Sequence, residues 1–199
     1  MSEPLIIRRR LPVGSMGKKA NGWWGMLALI ATEAALFAYL LFSYFFFDVQ
    51  YGRGWLPEKL PAFRLSGPNT VILLLSSVAV WWAEREARKG NRARQCLGLA
   101  VGLLLGIAFV VIQGFEWADK TFTPFSSSYG SLFFTITGFH MAHVIAGLIV
   151  LASLLLWSAL GYFDDRRNAP VTIGAIYWHF VDAVWLAVFF SLYVTPHLR

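Results

Sequence analysis

The sequence predicts an all-α integral membrane protein, a bundle of five transmembrane helices with the N-terminus on the cytoplasmic side and the C-terminus on the outer, positive side. Three observations carry this reading. Of 199 residues, 57% are hydrophobic and only 14% charged, and the mean hydropathy of +0.57 places the chain in the membrane class. The apolar residues gather into five runs, each long enough to cross a hydrocarbon core of roughly 30 Å as a helix. Lysine and arginine are divided unevenly between the connecting segments.

Residues 1–20 form a basic cytoplasmic segment with five lysines and arginines. Arg8-Arg9-Arg10 resembles the basic start of a signal peptide, but LPVGSMGKKANG follows without an apolar core, so a cleaved signal peptide is not expected. The five-helix domain then occupies residues 21–196. The first span covers about 22–47 and carries one ionisable group with strong potential charge, Glu33. The second, about 68–88, has a short apolar stretch, and Glu84 and Arg85 at its end reach the interface by snorkelling; Pro68 suits its start. Spans at about 94–116, 130–160 and 172–195 follow, the fourth long enough to tilt or protrude, and Pro196 suits the final stop. Twelve lysines and arginines fall on the side of the N-terminus and five on the other. Because these residues are retained on the cytoplasmic side, the N-terminus is expected inside, or on the matrix side of an organelle.

Composition also excludes. The positive charge sits in short blocks beside apolar runs, the pattern of membrane loops, and no basic and aromatic interleaving points to nucleic acid. Cys96 is the single cysteine, so neither an internal disulfide nor a thiolate cluster can form within the chain. Gly98, Gly102 and Gly106 recur every fourth residue on the third span and predict close approach of a neighbouring helix, as do Gly138, Ala142 and Ala146 on the fourth.

Polar groups at bilayer depth cost a few kcal/mol unless partnered or hydrated. They are Glu33, Gln113, Glu116, His140, His143, His179 and Asp182. At about 1.5 Å of rise per residue, Glu33, His140, His143, His179 and Asp182 fall in the central ~10 Å, and Glu116 nearer the outer end. At most five of them could therefore share one site. His140 and His143 point broadly one way, as do His179 and Asp182. Two histidines with carboxylates resemble a metal–carboxylate bundle, yet such sites take a Glu-x-x-His pair from each of two helices, and neither pair here has that order. Three readings stay open: hydrogen bonds between helices or to lipid and water, a metal site, and a proton or substrate path. Glu33 alone is most simply a carboxyl kept neutral by desolvation, able to donate to a carbonyl or a histidine; a proton relay is the other role.

TGFHMAHVIAG (137–147) together with IYWHFVDAVWLAVFFSLY (176–193) closely resembles the signature segments of subunit III of haem–copper terminal oxidases. ATEAALFAYLLFSYFF, PNTVILLLSSVAVWWAE, IQGFEW and YGSLFFTITGFH continue the match from about residue 22 to 193. The resemblance implies a non-catalytic subunit of an oxygen-reducing, proton-translocating oxidase. Haem and copper would lie in the partner chains, subunits I and II, since four histidines and one cysteine match neither partner's ligand set. It further implies packing beside subunit I, bound phospholipid, support of proton uptake and of the complex's integrity, and it admits membership of a respiratory supercomplex. Carried over, Glu33 is the family's buried glutamate, His140 and His143 the signature pair, and Trp178, His179, Asp182 and Trp185 the last-helix motif, with Trp178 and Trp185 as interfacial aromatics. Glu116 matches the glutamate before the final helices. Longer members have seven spans and a lipid-filled cleft between the first two and the other five; with five spans a cleft of that form is not expected. Loss of two helices preserves the predicted topology. Five-span versions belong to bacterial cytochrome c oxidases, quinol oxidases and accessory subunits of nitric oxide reductases. Glu33 favours the aa3-type cytochrome c oxidase, and the five-span length the bacterial inner membrane. An independent metal-dependent membrane enzyme and a small transporter are the remaining classes, though five spans without duplication do not make an inverted repeat.

Overall fold

A computed structural model of the chain describes residues 21–57, 61, 63–163 and 168–198. The basic segment 1–20 lies outside the described residues. Five long helices account for nearly all of the rest: α1 (Asn21–Tyr51), α2 (Phe63–Arg88), α3 (Arg92–Ala118), α4 (Ser128–Ala159) and α5 (Ala169–Phe189). Each is long and apolar enough to cross a membrane, and no strand occurs among the described residues. A polar backbone in hydrocarbon must satisfy its own hydrogen bonds, which is why the apolar runs take this form.

Local chemistry sets the helix ends. The Asn91 side chain accepts the Arg94 amide to cap α3, and Ser127 accepts that of Gly130 to cap α4, which satisfies a donor each that the first turn leaves free. Pro170 sits in the first turn of α5, where its missing N–H costs nothing. Gly90, at φ 71°, turns the chain sharply between α2 and α3, a conformation that a side chain resists. Pro68 behaves otherwise than expected. It does not start α2 but lies inside it, five residues beyond Phe63, so the helix gains more than a turn before the proline. At the far end, α5 runs into one π-helical turn, Phe190–Val194, and a short 3-10 turn, Thr195–His197, containing Pro196. The π turn lets Ser191, Leu192 and Tyr193, three residues in a row, all lie buried.

Helices α2, α3, α4 and α5 pack around a closed ring in that order, with α5 returning to α2, and α1 lies outside the ring against α5 and α4. Only Phe37, Tyr44 and Asp48 of α1 are buried, whereas the ring encloses Leu73, Leu99, Phe109, Phe133, Ile136, Trp178 and Trp185. The glycine stripe of α3 divides between neighbours. A Cβ on Gly98 would lie 2.8 Å from Ala83 Cβ and 2.9 Å from the Ala79 carbonyl oxygen, and one on Gly102 2.7 Å from Val80 Cγ2, so both face α2. Gly106 instead faces Leu148 and Trp178, each 2.7 Å from such an atom. The stripe expected on α4 is different again. A Cβ on Gly138 would meet nothing within 4 Å and Ala142 and Ala146 are exposed; the close-packed glycines of α4 are Gly130, against the Thr123 carbonyl, and Gly147, where a Cβ would lie 2.8 Å from the Trp178 ring. Small residues at four-residue spacing mark either a contact or a lipid-facing strip, and only the neighbour decides which.

Candidate functional site

The polar groups do not converge on one centre. They form separate contacts, each between two helices. On the seam of α1 and α4, His143 Nε2 lies 3.0 Å from Glu33 Oε2. The other ring nitrogen, Nδ1, is 2.7 Å from the Phe139 carbonyl, which can only accept, so Nδ1 carries a hydrogen. One proton then lies between Nε2 and the carboxyl, whether it is written on the acid or on the imidazole. The side chains of Glu33 and His143 remain 27% and 16% exposed. Glu33 is therefore at the rim of the bundle rather than deep in it, and the Tyr177 hydroxyl donates to the His143 carbonyl at 3.3 Å to tie α5 into the same seam.

His140, three residues earlier, points elsewhere. Its Nε2 donates to the Val181 carbonyl of α5 at 3.2 Å, and its ring is walled by Trp185 (4.8 Å), Phe109 (5.9 Å) and Phe37 (6.5 Å between centroids). A third contact joins α5 to α2, where His179 Nδ1 is 3.2 Å from Ser77 Oγ and Asp182 faces the same hydroxyl. Glu116 belongs to a fourth. Its Oε1 accepts from Lys120 Nζ at 2.8 Å and from the Tyr193 hydroxyl at 2.7 Å. The predicted band of five central groups thus comes apart into Glu33 with His143, His140 with backbone, and His179 with Asp182.

Trp178 and Trp185, expected as interfacial aromatics, are in the core instead, 1% and 0% exposed. Their indole N–H groups donate to Ser76 Oγ at 3.0 Å and Thr70 Oγ1 at 2.9 Å, and that pairing is what permits an indole to be buried. Thr70, Ser76 and Ser77 were not singled out by the sequence. Their signal was there, as Asn69, Thr70, Ser76 and Ser77 recur at a seven-residue spacing in the otherwise apolar stretch 69–83. Lys120 and Tyr193 were likewise unmarked. Asn69 Nδ2 adds a donation to the Phe109 carbonyl at 3.2 Å, and Gln95 Nε2 one to Ser158 Oγ at 2.7 Å. Chemically the arrangement fastens helices: each contact spans two elements, and no group of three His, Cys, Asp or Glu side chains suited to a metal ion occurs among the described residues.

The family model for cytochrome c oxidase subunit III matches residues 17–196. The chain belongs to this family. Among subunit 3 relatives, that of Artemia franciscana is 39% identical over 175 residues, covering 85% of this chain and 67% of its own length. Those of Drosophila melanogaster and Pongo pygmaeus are 34% and 35% identical over 177 residues, each spanning 85% of this chain and 68% of the relative. These subunit III relatives are animal proteins, so the bacterial-type description expected from the five-span length finds no support among them. Within the subunit III family match, all of Glu33, Glu116, His140, His143, Trp178, His179, Asp182 and Trp185 lie inside the matched residues.

Proposed function

We propose that this chain is the non-catalytic subunit III of an aa3-type cytochrome c oxidase. It packs against subunit I in a complex that includes subunit II, where haem and copper would reside, and it holds phospholipid and sustains proton uptake and the integrity of the proton-pumping oxidase. The observation that carries the reading is the use made of the intramembrane polar residues: Glu33, Glu116, His140, His179, Trp178 and Trp185 each meet a partner on another helix, which suits a scaffold for chemistry performed elsewhere. The N-terminus lies on the cytoplasmic or matrix side. In support, the turn between α2 and α3 presents Arg88, Lys89 and Arg94, with side chains 59%, 65% and 63% exposed, and Arg92 of the same turn donates to the Ala159 carbonyl at the end of α4. Such a basic edge attracts anionic lipid headgroups. The membrane in this reading is an energy-coupling one, the bacterial inner membrane or its organelle counterpart.

The test is to purify the complex from its native membrane through a tag on this chain. A haem-bearing partner with an oxidase redox spectrum, phospholipid in the preparation, and turnover with reduced cytochrome c rather than quinol are the expected results. A chain that purifies alone with stoichiometric metal, lost on changing His140 or His143, would overturn the proposal in favour of an independent metalloenzyme.

A further inference from the structure

Where α3, α4 and the π turn after α5 meet lies a second kind of polar environment, and its bonds do not close. Gln113, Glu116, Tyr129 and Tyr193 are 1%, 3%, 1% and 0% exposed, and the Lys120 side chain is 9% exposed. Glu116 Oε1 is doubly bonded to Lys120 and Tyr193, but Glu116 Oε2, both amide atoms of Gln113 and the Tyr129 hydroxyl have no hydrogen-bond partner. Gln113 stands one turn before Glu116 on the same helix face, and its amide faces the Tyr193 hydroxyl without completing a bond. The walls are aromatic. Phe133 lies 5.9 Å from Tyr193 and 6.2 Å from Tyr129, between ring centroids. The Lys120 ammonium stands 5.2 Å and 5.3 Å from the Phe133 and Tyr193 rings.

Buried side chains rarely leave this many polar atoms unpaired, because each costs about the full desolvation of its group. The needs are mixed: the carboxylate oxygen requires a donor, while the ammonium and the amide N–H groups require acceptors. A cation would serve only the first and an anion only the second, and the Lys120–Glu116 pair already balances charge. Water supplies both, and a buried water site asks for two to four polar partners, roughly what one corner of this set provides. We propose that Gln113, Glu116, Lys120, Tyr129 and Tyr193 enclose a permanent site for a small cluster of ordered water molecules between α3, α4 and the end of α5. The cluster bridges Gln113 to Tyr193 and completes the shell of the Glu116–Lys120 ion pair, so that the ion pair persists inside an aromatic box. The proposal needs only the native membrane assembly and stands whether or not that assembly is the oxidase proposed above.

A high-resolution cryo-EM map of the native complex tests it directly. Peaks within hydrogen-bond range, roughly 2.6–3.2 Å, of Glu116 Oε2, the Gln113 amide and the Tyr129 hydroxyl are expected, and Tyr129→Phe should remove the peak beside residue 129 while leaving that at Glu116. Radiolytic hydroxyl footprinting is the second arm: Tyr129 and Tyr193, next to bound water, should label several-fold faster than Trp178 and Trp185, which are as deeply buried but lie away from the cluster. A map in which those atoms contact a partner subunit or a lipid headgroup, or in which no density lies near them, overturns the proposal. So does equal labelling of the four aromatic residues.

Discussion

Gly98→Ala and Gly138→Ala are the same chemical change on two membrane helices, and the structure assigns them opposite outcomes. At Gly98 the added methyl would stand 2.8 Å from Ala83 Cβ and 2.9 Å from the Ala79 carbonyl oxygen, short of ordinary contact by about half an ångström. A backbone carbonyl and a Cβ cannot swing aside as the end of a long side chain can, so α2 and α3 must separate or bend. Overpacking of this kind costs about 1–3 kcal/mol. At Gly138 nothing lies within 4 Å of the added atom. Both substitutions share the gain of roughly 1 kcal/mol in helix propensity, so the difference between them isolates the packing penalty. Unfolding in mixed micelles, followed by the fluorescence of the nine tryptophans, should rank Gly138→Ala at or above the wild type. Gly98→Ala should fall about 1–3 kcal/mol below Gly138→Ala. If the two variants unfold together, or Gly98→Ala is the more stable, the close approach of α2 to α3 is not as described.

Three further outcomes follow from the interhelical contacts. Trp178→Phe and Ser76→Ala should be coupled in a double-mutant cycle by about 0.6–2 kcal/mol, the range for hydrogen bonds between membrane helices; strictly additive effects on unfolding would deny the bond. Glu33→Ala leaves His143 Nε2 without its partner and should lower stability by about 1–2 kcal/mol, whereas Glu33→Gln, whose amide N–H can meet the same nitrogen, should lose less than half as much. Equal losses for the two variants in the same unfolding assay would show that the contact contributes nothing specific. Asp182→Ala should reduce the yield of assembled complex, scored by blue-native electrophoresis, while haem reduction in the complex that does assemble stays unchanged; an assembled variant without haem reduction would contradict a structural role for Asp182.

The glycine comparison also marks how far the sequence could be read. Gly98-x-x-x-Gly102 and Gly138-x-x-x-Ala142 carry the same spacing signal, yet the first is clamped against α2 and the second faces outward. Nothing local to either helix distinguishes them, since a small residue leaves the same gap whether a neighbour or lipid fills it. The histidines divide in a similar way. Residue counting assigns both an expected common height, and helical spacing a broadly common direction. Three residues still turn the helix by about 300°, and that offset sends His140 to the Val181 backbone and His143 to Glu33.

By itself the sequence determined the number of helices, their membrane character and the kinship carried by the two histidine-bearing segments, because these depend on composition and on residues adjacent in the chain. The order of α2, α3, α4 and α5 around the ring, the burial of Trp178 and Trp185, and the partners Thr70, Ser76 and Ser77 were decided only by tertiary structure. So was the π turn that brings Tyr193 to Glu116, 77 residues away along the chain. The physical reason is that a hydrogen bond between helices has two ends, and the sequence displays each end without saying which helix will stand opposite it.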